Sequence, residues 1–273
     1  MNANANMNTN TNTNATRPTV LITGAAHGIG RATALALAGR RTPLGLIDRD
    51  GPALVALVQE LKDQGATVAD ATVDVTDREA LFRAVAAIES EIGPIEVLLA
   101  CAGIGTLTLV PELDTATLRQ TLDVNLVGVA QSIEAVLPGM IARGRGHLIG
   151  VASMAGYRGF PWMISYSASK AALIAYLEAL RPGLRRRGVT VTTVCPGFVR
   201  TQMCTSVPYQ RPVQMIEPED AARHLVRAVE RRPRNCIFPW NMRIGLAVLR
   251  YMPDRVFDVL MRVAGPRALH VDF

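Results

Sequence analysis

Residues 19–38 read Thr19-Val20-Leu21-Ile22-Thr23-Gly24-Ala25-Ala26-His27-Gly28-Ile29-Gly30-Arg31-Ala32-Thr33-Ala34-Leu35-Ala36-Leu37-Ala38. The opening run is apolar and β-branched, as a buried strand requires, and the closing run repeats at helical spacing. Between them lies a glycine loop. Strand, glycine loop and helix in that order suit a dinucleotide: glycines let the backbone turn tightly and approach a pyrophosphate, and the free N–H groups and dipole at the helix start favour its charge. A glycine triplet alone is a weak signal. Eighteen residues after Gly30, however, the apolar run Leu44-Gly45-Leu46-Ile47 ends in Asp48. That is close to the ~20-residue spacing of an acid that accepts hydrogen bonds from an adenosine ribose.

A second pattern lies downstream. In Ser165-Tyr166-Ser167-Ala168-Ser169-Lys170, Tyr166 and Lys170 stand four apart in a helical stretch, with Ser153 thirteen positions upstream. Four residues is one helical turn, so phenol and ammonium share a face. A phenol with a reference pKa near ~10 releases its proton reluctantly at neutral pH, and a cation held beside it favours the phenolate. The pair reads as a tuned acid and base. By itself a Tyr-x-x-x-Lys spacing also occurs on solvated helix faces, and its weight comes from the glycine loop ahead of it.

Together these motifs resemble the short-chain dehydrogenase/reductase family over roughly residues 18–240. The family's Thr-Gly-x-x-x-Gly-x-Gly falls on Thr23, Gly24, Gly28 and Gly30, and its Asp-Val pair on Asp74-Val75. Its Asn-Asn-Ala-Gly reads here Ala100-Cys101-Ala102-Gly103, with both asparagines replaced. Its asparagine, serine and Pro-Gly turn resemble Asn125, Ser153 and Pro196-Gly197, with Val199 and Thr201 just beyond. The resemblance implies Ser153, Tyr166, Lys170 and Asn125 as catalytic residues. It implies a cofactor held by Gly24, His27, Gly28, Ile29, Gly30, Asp48, Arg49, Asp74, Val75, Ala102, Gly103, Tyr166, Lys170, Pro196, Gly197, Val199 and Thr201. The expected activity is hydride transfer between a nicotinamide and a secondary alcohol or ketone. Tyr166 would exchange the proton, Ser153 would hydrogen-bond the reacting oxygen, Lys170 would bind the nicotinamide ribose, and Asn125 would hold a water linked to that lysine. A homodimer or homotetramer is implied as well.

Residues 48 and 49 bear on the cofactor. The Asp48 carboxylate accepts ribose hydroxyls and repels a 2′-phosphate, which favours NAD; Arg49 and His27 leave NADP as the alternative. An NADP-dependent carbonyl or 3-oxoacyl reductase is therefore the rival enzyme. A nucleotide-binding sensor or scaffold is the rival outside enzymes, opposed by the presence of all four reactive residues.

Alternating apolar runs and helical patterns predict strands near 19–23, 43–48, 67–73, 95–100, 146–152, 189–195 and 235–238. Helices are expected near 29–40, 52–64, 77–91, 115–139, 164–187 and 218–231. This is an α/β chain, a doubly wound Rossmann sheet of about seven parallel strands with helices on both faces and a crevice at the strands' carboxyl ends. Pro182-Gly183 predicts a kink or break in the helix carrying Tyr166. Residues 1–17, nearly devoid of apolar side chains, are expected to form a disordered leader before a domain spanning 18–240. The segment Gln202 to Glu217 reads as an apolar lid, containing Met203, Val207, Pro208, Tyr209, Pro212, Val213, Met215 and Ile216.

Residues 241–273 form an amphipathic extension split by Pro253, with Met242, Ile244, Leu246, Leu249 and Tyr251 in one run and Val256, Phe257, Leu260 and Val263 in the next. Its arginines fit two readings: contact with an anionic membrane, or packing over the substrate cleft or a second subunit. Its apolar content points to a hydrophobic alcohol or ketone as substrate. The net charge of +6 does not indicate nucleic acid, because the arginines are dispersed without aromatic interleaving. The four cysteines, Cys101, Cys195, Cys204 and Cys236, have no paired metal spacing, so no metal is expected and a reducing cytoplasm is the simplest location. No uninterrupted apolar run reaches eighteen residues, so no spanning helix is expected.

Overall fold

The computed structural model describes residues 17–108, 110–205 and 215–264. The leader up to residue 16, the lid residues Val207, Pro208, Tyr209, Pro212 and Val213, and the chain beyond 264 lie outside the described residues. Seven strands, β1 (Val20–Thr23), β2 (Leu44–Asp48), β3 (Val68–Thr72), β4 (Val97–Ala100), β5 (Gly146–Val151), β6 (Val189–Pro196) and β7 (Asn235–Phe238), form one parallel sheet. Its order is β3-β2-β1-β4-β5-β6-β7. The order reverses between β1 and β4, and the loops leaving these two strands diverge to open a crevice there.

The helices are α1 (Gly28–Ala38), α2 (Gly51–Asp63), α3 (Arg78–Ile92), α4 (Thr115–Leu122), α5 (Gly128–Ala142), α6 (Ile164–Arg185), α7 (Gln202–Thr205), α8 (Pro218–Arg231), α9 (Trp240–Tyr251) and α10 (Asp254–Ala264). Aspartates begin three of them: Asp50, Asp77 and Asp114 accept from the backbone N–H groups of Ala53, Ala80, and Ala116 with Thr117. Such caps satisfy N–H groups that have no partner within the helix.

Strand residues alternate between two cores, since successive side chains point to opposite faces. Val20, Ile22, Val97 and Leu99 meet Leu37, Leu57 and Leu225 on one side. Leu21, Leu98 and Leu148 meet Val85, Ile133 and Leu177 on the other. A sheet buried on both faces needs near-continuous apolar strands, and the central strands β1, β2 and β4 meet that need.

Three expectations need correction. First, of the kink or break expected at Pro182, the break does not occur, since α6 runs continuously through it. Proline removes one main-chain bond near the helix end, but Leu177 and Leu184, seven apart and both buried, hold the helix to the sheet across it. Second, the predicted helix 115–139 contains a π-helical turn at Asp123–Val127 between α4 and α5. Third, the continuous helical stretch Thr115–Ala142 is long and apolar enough to span a bilayer, with a mean hydropathy of 1.4 over its best window. Its apolar side, including Val129, Ile133, Val136 and Met140, is buried in the protein core.

One buried polar pair lies low in the sheet. His147 on β5 has its Nε2 2.8 Å from the Thr192 hydroxyl, which in turn donates to the Pro233 carbonyl. With the Thr192 proton directed to Pro233, Nε2 must be the protonated nitrogen of a neutral imidazole. Burial, reinforced by the nearby Arg232 charge, pulls this histidine down to about 3.

Candidate active site

The glycine loop is held from two sides. Gly24 has φ of +68°, and a Cβ there would lie 2.7 Å from the backbone of Ala102; a Cβ on Gly30 would lie 2.0 Å from the Gly24 carbonyl oxygen. A side chain at Gly24 would push the loops after β1 and β4 apart, and one at Gly30 would push the start of α1 off the loop after β1. Asp48 fixes the same loop from β2: its carboxylate accepts from the Ala26 N–H at 2.9 Å and from the Asp50 N–H at 3.0 Å. Where the replaced asparagines would stand, backbone and Thr23 take over: the Cys101 N–H donates to the Thr23 carbonyl at 3.1 Å, and the Ala102 N–H to the Thr23 hydroxyl at 3.4 Å.

Charges at this end are paired. His27 meets Asp50 at 2.8 Å, and Arg49 reaches Asp74 at 3.6 Å. Burial pushes the Asp74 carboxyl up, but hydrogen bonds from Thr76 and the Arg49 guanidinium outweigh it, leaving the group below the usual carboxylate range. The Asp50 carboxyl is likewise lowered, chiefly by the His27 hydrogen bond.

At the other end, Tyr166 and Lys170 occupy the first two turns of α6. The Lys170 Nζ donates to the Val151 carbonyl at 2.9 Å and lies 5.7 Å from the Tyr166 ring centroid. Burial lowers this ammonium to about 8, with the Cys101 and Cys195 sulfurs opposing the shift. Ser153 ends the extended segment after β5; its hydroxyl accepts from the Ala155 N–H at 3.1 Å, starting a single 3-10 turn over Met154–Gly156. A hydroxyl that accepts one bond still has a proton to donate. Burial raises the Cys101 thiol to about 12, away from the reactive thiolate form.

All the catalytic and cofactor-binding residues implied by the resemblance, except Asn125, line one cavity of about 490 Å³ at the switch point. Asn125, in the π turn, is fully buried beside it. Its amide nitrogen donates to the Ile104 carbonyl at 2.9 Å and to the Ser169 hydroxyl at 3.0 Å, while its oxygen accepts from the Ile104 N–H at 2.8 Å. Ser169 in turn donates to the Tyr166 carbonyl at 2.8 Å. Asn125 thus ties the loop after β4 to the turn of α6 that carries the tyrosine and lysine.

Sequence reasoning missed several participants. Ser169 and Asp50 are bridging groups with no motif of their own. Met242 of α9 packs so closely on the Pro196-Gly197 turn that a Cβ on Gly197 would lie 2.2 Å from its sulfur. Arg158, between Ser153 and Tyr166, pairs with Asp254 of α10 at 2.9 Å and stacks 4.4 Å from the Phe257 ring centroid. Nothing in the local sequence links positions so far apart.

Comparison with known proteins agrees with this geometry. Residues 18–212 match the family described as short chain dehydrogenase. An uncharacterized oxidoreductase of Myxococcus xanthus is 37% identical over 244 residues, covering 89% of this chain and 96% of that protein. The 17-beta-hydroxysteroid dehydrogenase 13 of Rattus norvegicus is 33% identical over 249 residues, covering 90% and 82%. Among solved structures, a variant of actinorhodin polyketide ketoreductase with NADPH superimposes with a TM-score of 0.74 at 28% identity, over 78% of this chain and 90% of that one. The chain belongs to the short chain dehydrogenase family and is an NAD(P)-dependent oxidoreductase of alcohol and ketone groups.

Proposed function

We propose that the chain interconverts a bulky apolar secondary alcohol and its ketone, with NAD as the preferred dinucleotide. The observation that carries the reading is the convergence of Ser153, Tyr166 and Lys170 on the cavity that the glycine loop closes at its far end. The side-chain-free cradle at Gly24, Gly28, Gly30 and Gly103 fits a pyrophosphate and its sugars, which need close backbone approach. When bound, the nicotinamide supplies or accepts the hydride. In reduction, Tyr166 donates its proton to the substrate oxygen while the Ser153 hydroxyl hydrogen-bonds the same atom as it gains charge. In oxidation the tyrosine takes the proton back. Lys170 places a cation beside the phenol and offers its remaining protons to a ribose. Asn125 and Ser169 act by positioning that turn.

The carboxylates favour NAD. Asp48, Asp50 and Asp74 stand around the adenosine end, and the two side chains able to meet a 2′-phosphate, His27 and Arg49, are each engaged by an acid. A phosphate there meets net negative charge. The preference for an apolar substrate rests on Ile104, Val151 and Met203 in the cavity wall and on Met242 against Gly197. Relatives that carry hydroxysteroid names fit that substrate class. The test is turnover of secondary alcohols and ketones of graded size with each dinucleotide, followed by nicotinamide absorbance. NAD should win, and polycyclic or long-chain substrates should exceed sugars and small hydroxy acids. A clear preference for NADP would overturn the reading of Asp48.

A further inference from the structure

Thirteen large apolar side chains are exposed among the described residues, and seven of them lie on α9 and α10. On α9 they are Trp240, Ile244, Val248 and Tyr251, spaced four, four and three residues apart, which is one face of a helix. Trp240 is 74% exposed and Tyr251 81%. On α10 the exposed set is Val256, Val259 and Leu260. The other side of α10 is seated on the protein: Phe257 and Met261 are buried, and Asp254 pairs with Arg158.

The charges on α9 and α10 are mostly basic: four arginines, Arg243, Arg250, Arg255 and Arg262, stand against two acids. Arg255 and Arg262, both exposed, sit four before and three after Val259, on the outward line. Of the acids, Asp254 is engaged by Arg158, while Asp258 is exposed between Arg255 and Arg262. Apolar side chains and a net positive charge therefore share the outward side.

We propose that this face of α9 and α10 docks on the surface of an anionic phospholipid bilayer. An amphipathic helix binds there by burying its apolar stripe among headgroups while cations meet lipid phosphate and carboxylate. Trp240 and Tyr251, at the two ends of α9, are side chains that favour the membrane–water boundary, being apolar in body and polar at one atom. A second copy of the chain is a poorer occupant, because a two-fold interface would bring together two faces of the same net positive charge. The face also adjoins the cleft through Met242, which packs on the cavity-lining Gly197. If the substrate is apolar, as proposed above, docking would bring the cleft to a membrane-dissolved supply; that consequence rests on the substrate reading, whereas docking itself does not.

The experiment is co-sedimentation of the full chain with phosphatidylcholine vesicles, with and without phosphatidylserine, at low and high salt. Wild type should bind the anionic vesicles and release from them as salt rises. Arg255→Glu/Arg262→Glu and Ile244→Ser/Val248→Ser should each weaken binding at least about tenfold, with circular dichroism unchanged because these positions are exposed. Absence of wild-type binding, or equal binding by wild type and both variants, overturns the proposal. So does an oligomer that Ile244→Ser/Val248→Ser dissociates, since a second copy would then cover the face. None of these readouts depends on turnover, so a failed substrate screen leaves the result interpretable.

Discussion

The two ends of the cleft are built on different principles. Around the glycine loop, Gly24, Gly30, Asp48 and Thr23 meet main-chain atoms directly, either within one loop or between elements adjacent in the sheet. At the substrate end, Met203 of α7 joins Ile104 and Val151 in the wall, and behind it side chains such as Arg158, Asp254 and Met242 tie the segment between Ser153 and Tyr166 and the Pro196-Gly197 turn to α10 and α9. Main-chain contacts tolerate little substitution, because moving a backbone disturbs a strand. Side-chain contacts can be exchanged one at a time. The dinucleotide end is thus suited to a fixed ligand and the other end to a variable one.

The most severe break of this contrast falls where the ends meet. Tyr166→Phe should lower turnover by about 10²–10⁴-fold, the usual range for loss of a positioned proton donor. Dinucleotide affinity, measured by fluorescence titration, should stay within about twofold, since the glycine cradle is untouched. Retained turnover would remove Tyr166 from the proposed mechanism.

A second test asks whether the rigid part of the molecule carries its own pH limit. His147 is neutral in the fold, held to about 3 by burial, against an ordinary value of 6.5. Below pH 6.5 the unfolded chain takes up a proton that the native state refuses, so stability is full above that value and falls as pH drops toward 3. At pH 5 the loss from this one group is about 2 kcal/mol, or roughly thirtyfold in the folding equilibrium. Urea unfolding at pH 7.5 and pH 5 should therefore show a smaller acid loss in His147→Gln than in wild type. An identical loss in both would mean that His147 is protonated in the folded protein.

How much of this was legible follows from the same contrast. Thr19 to Ala38 specified strand, turn and helix locally, and Asp48, Asp74, Gly103, Ser153 and Pro196 each followed a readable apolar strand. The strand order placed them together. What escaped was nonlocal: Asn125 bonded to Ile104 and Ser169, and Arg158 reaching Asp254, 96 positions away. The break expected at Pro182 does not occur, because a local rule ignores the packing of Leu177 and Leu184. The second task of Asp48, holding Ala26 and Asp50, is also invisible in a motif that explains the residue by ribose alone.

That double role shapes a third test. Asp48→Asn keeps one oxygen acceptor for the loop while removing the charge, so it separates architecture from selectivity. The ratio of kcat/KM with NAD to that with NADP should fall about tenfold, which is about 1.4 kcal/mol. An unchanged ratio with wild-type stability would assign the cofactor preference to Asp50 and Asp74 instead.

The smallest effect is expected from Asp254→Asn, and it probes the loose end alone. Asp254 is largely exposed, and exposed ion pairs contribute about 0–1 kcal/mol, so global stability should change little. Arg158 is mostly buried and keeps its stacking on Phe257, so α10 should stay attached but with one fewer constraint on the segment leading to Tyr166. For a bulky apolar substrate, whose binding uses that wall, kcat/KM should fall about two- to fivefold, consistent with losing at most ~1 kcal/mol of positioning. For a small ketone that fits beside Ser153 and Tyr166 without touching the wall, it should not change. Parallel losses on both substrates would mean that the α10 contact supports the catalytic turn itself, and the division between a fixed and a variable end would have to be drawn further out along the tail.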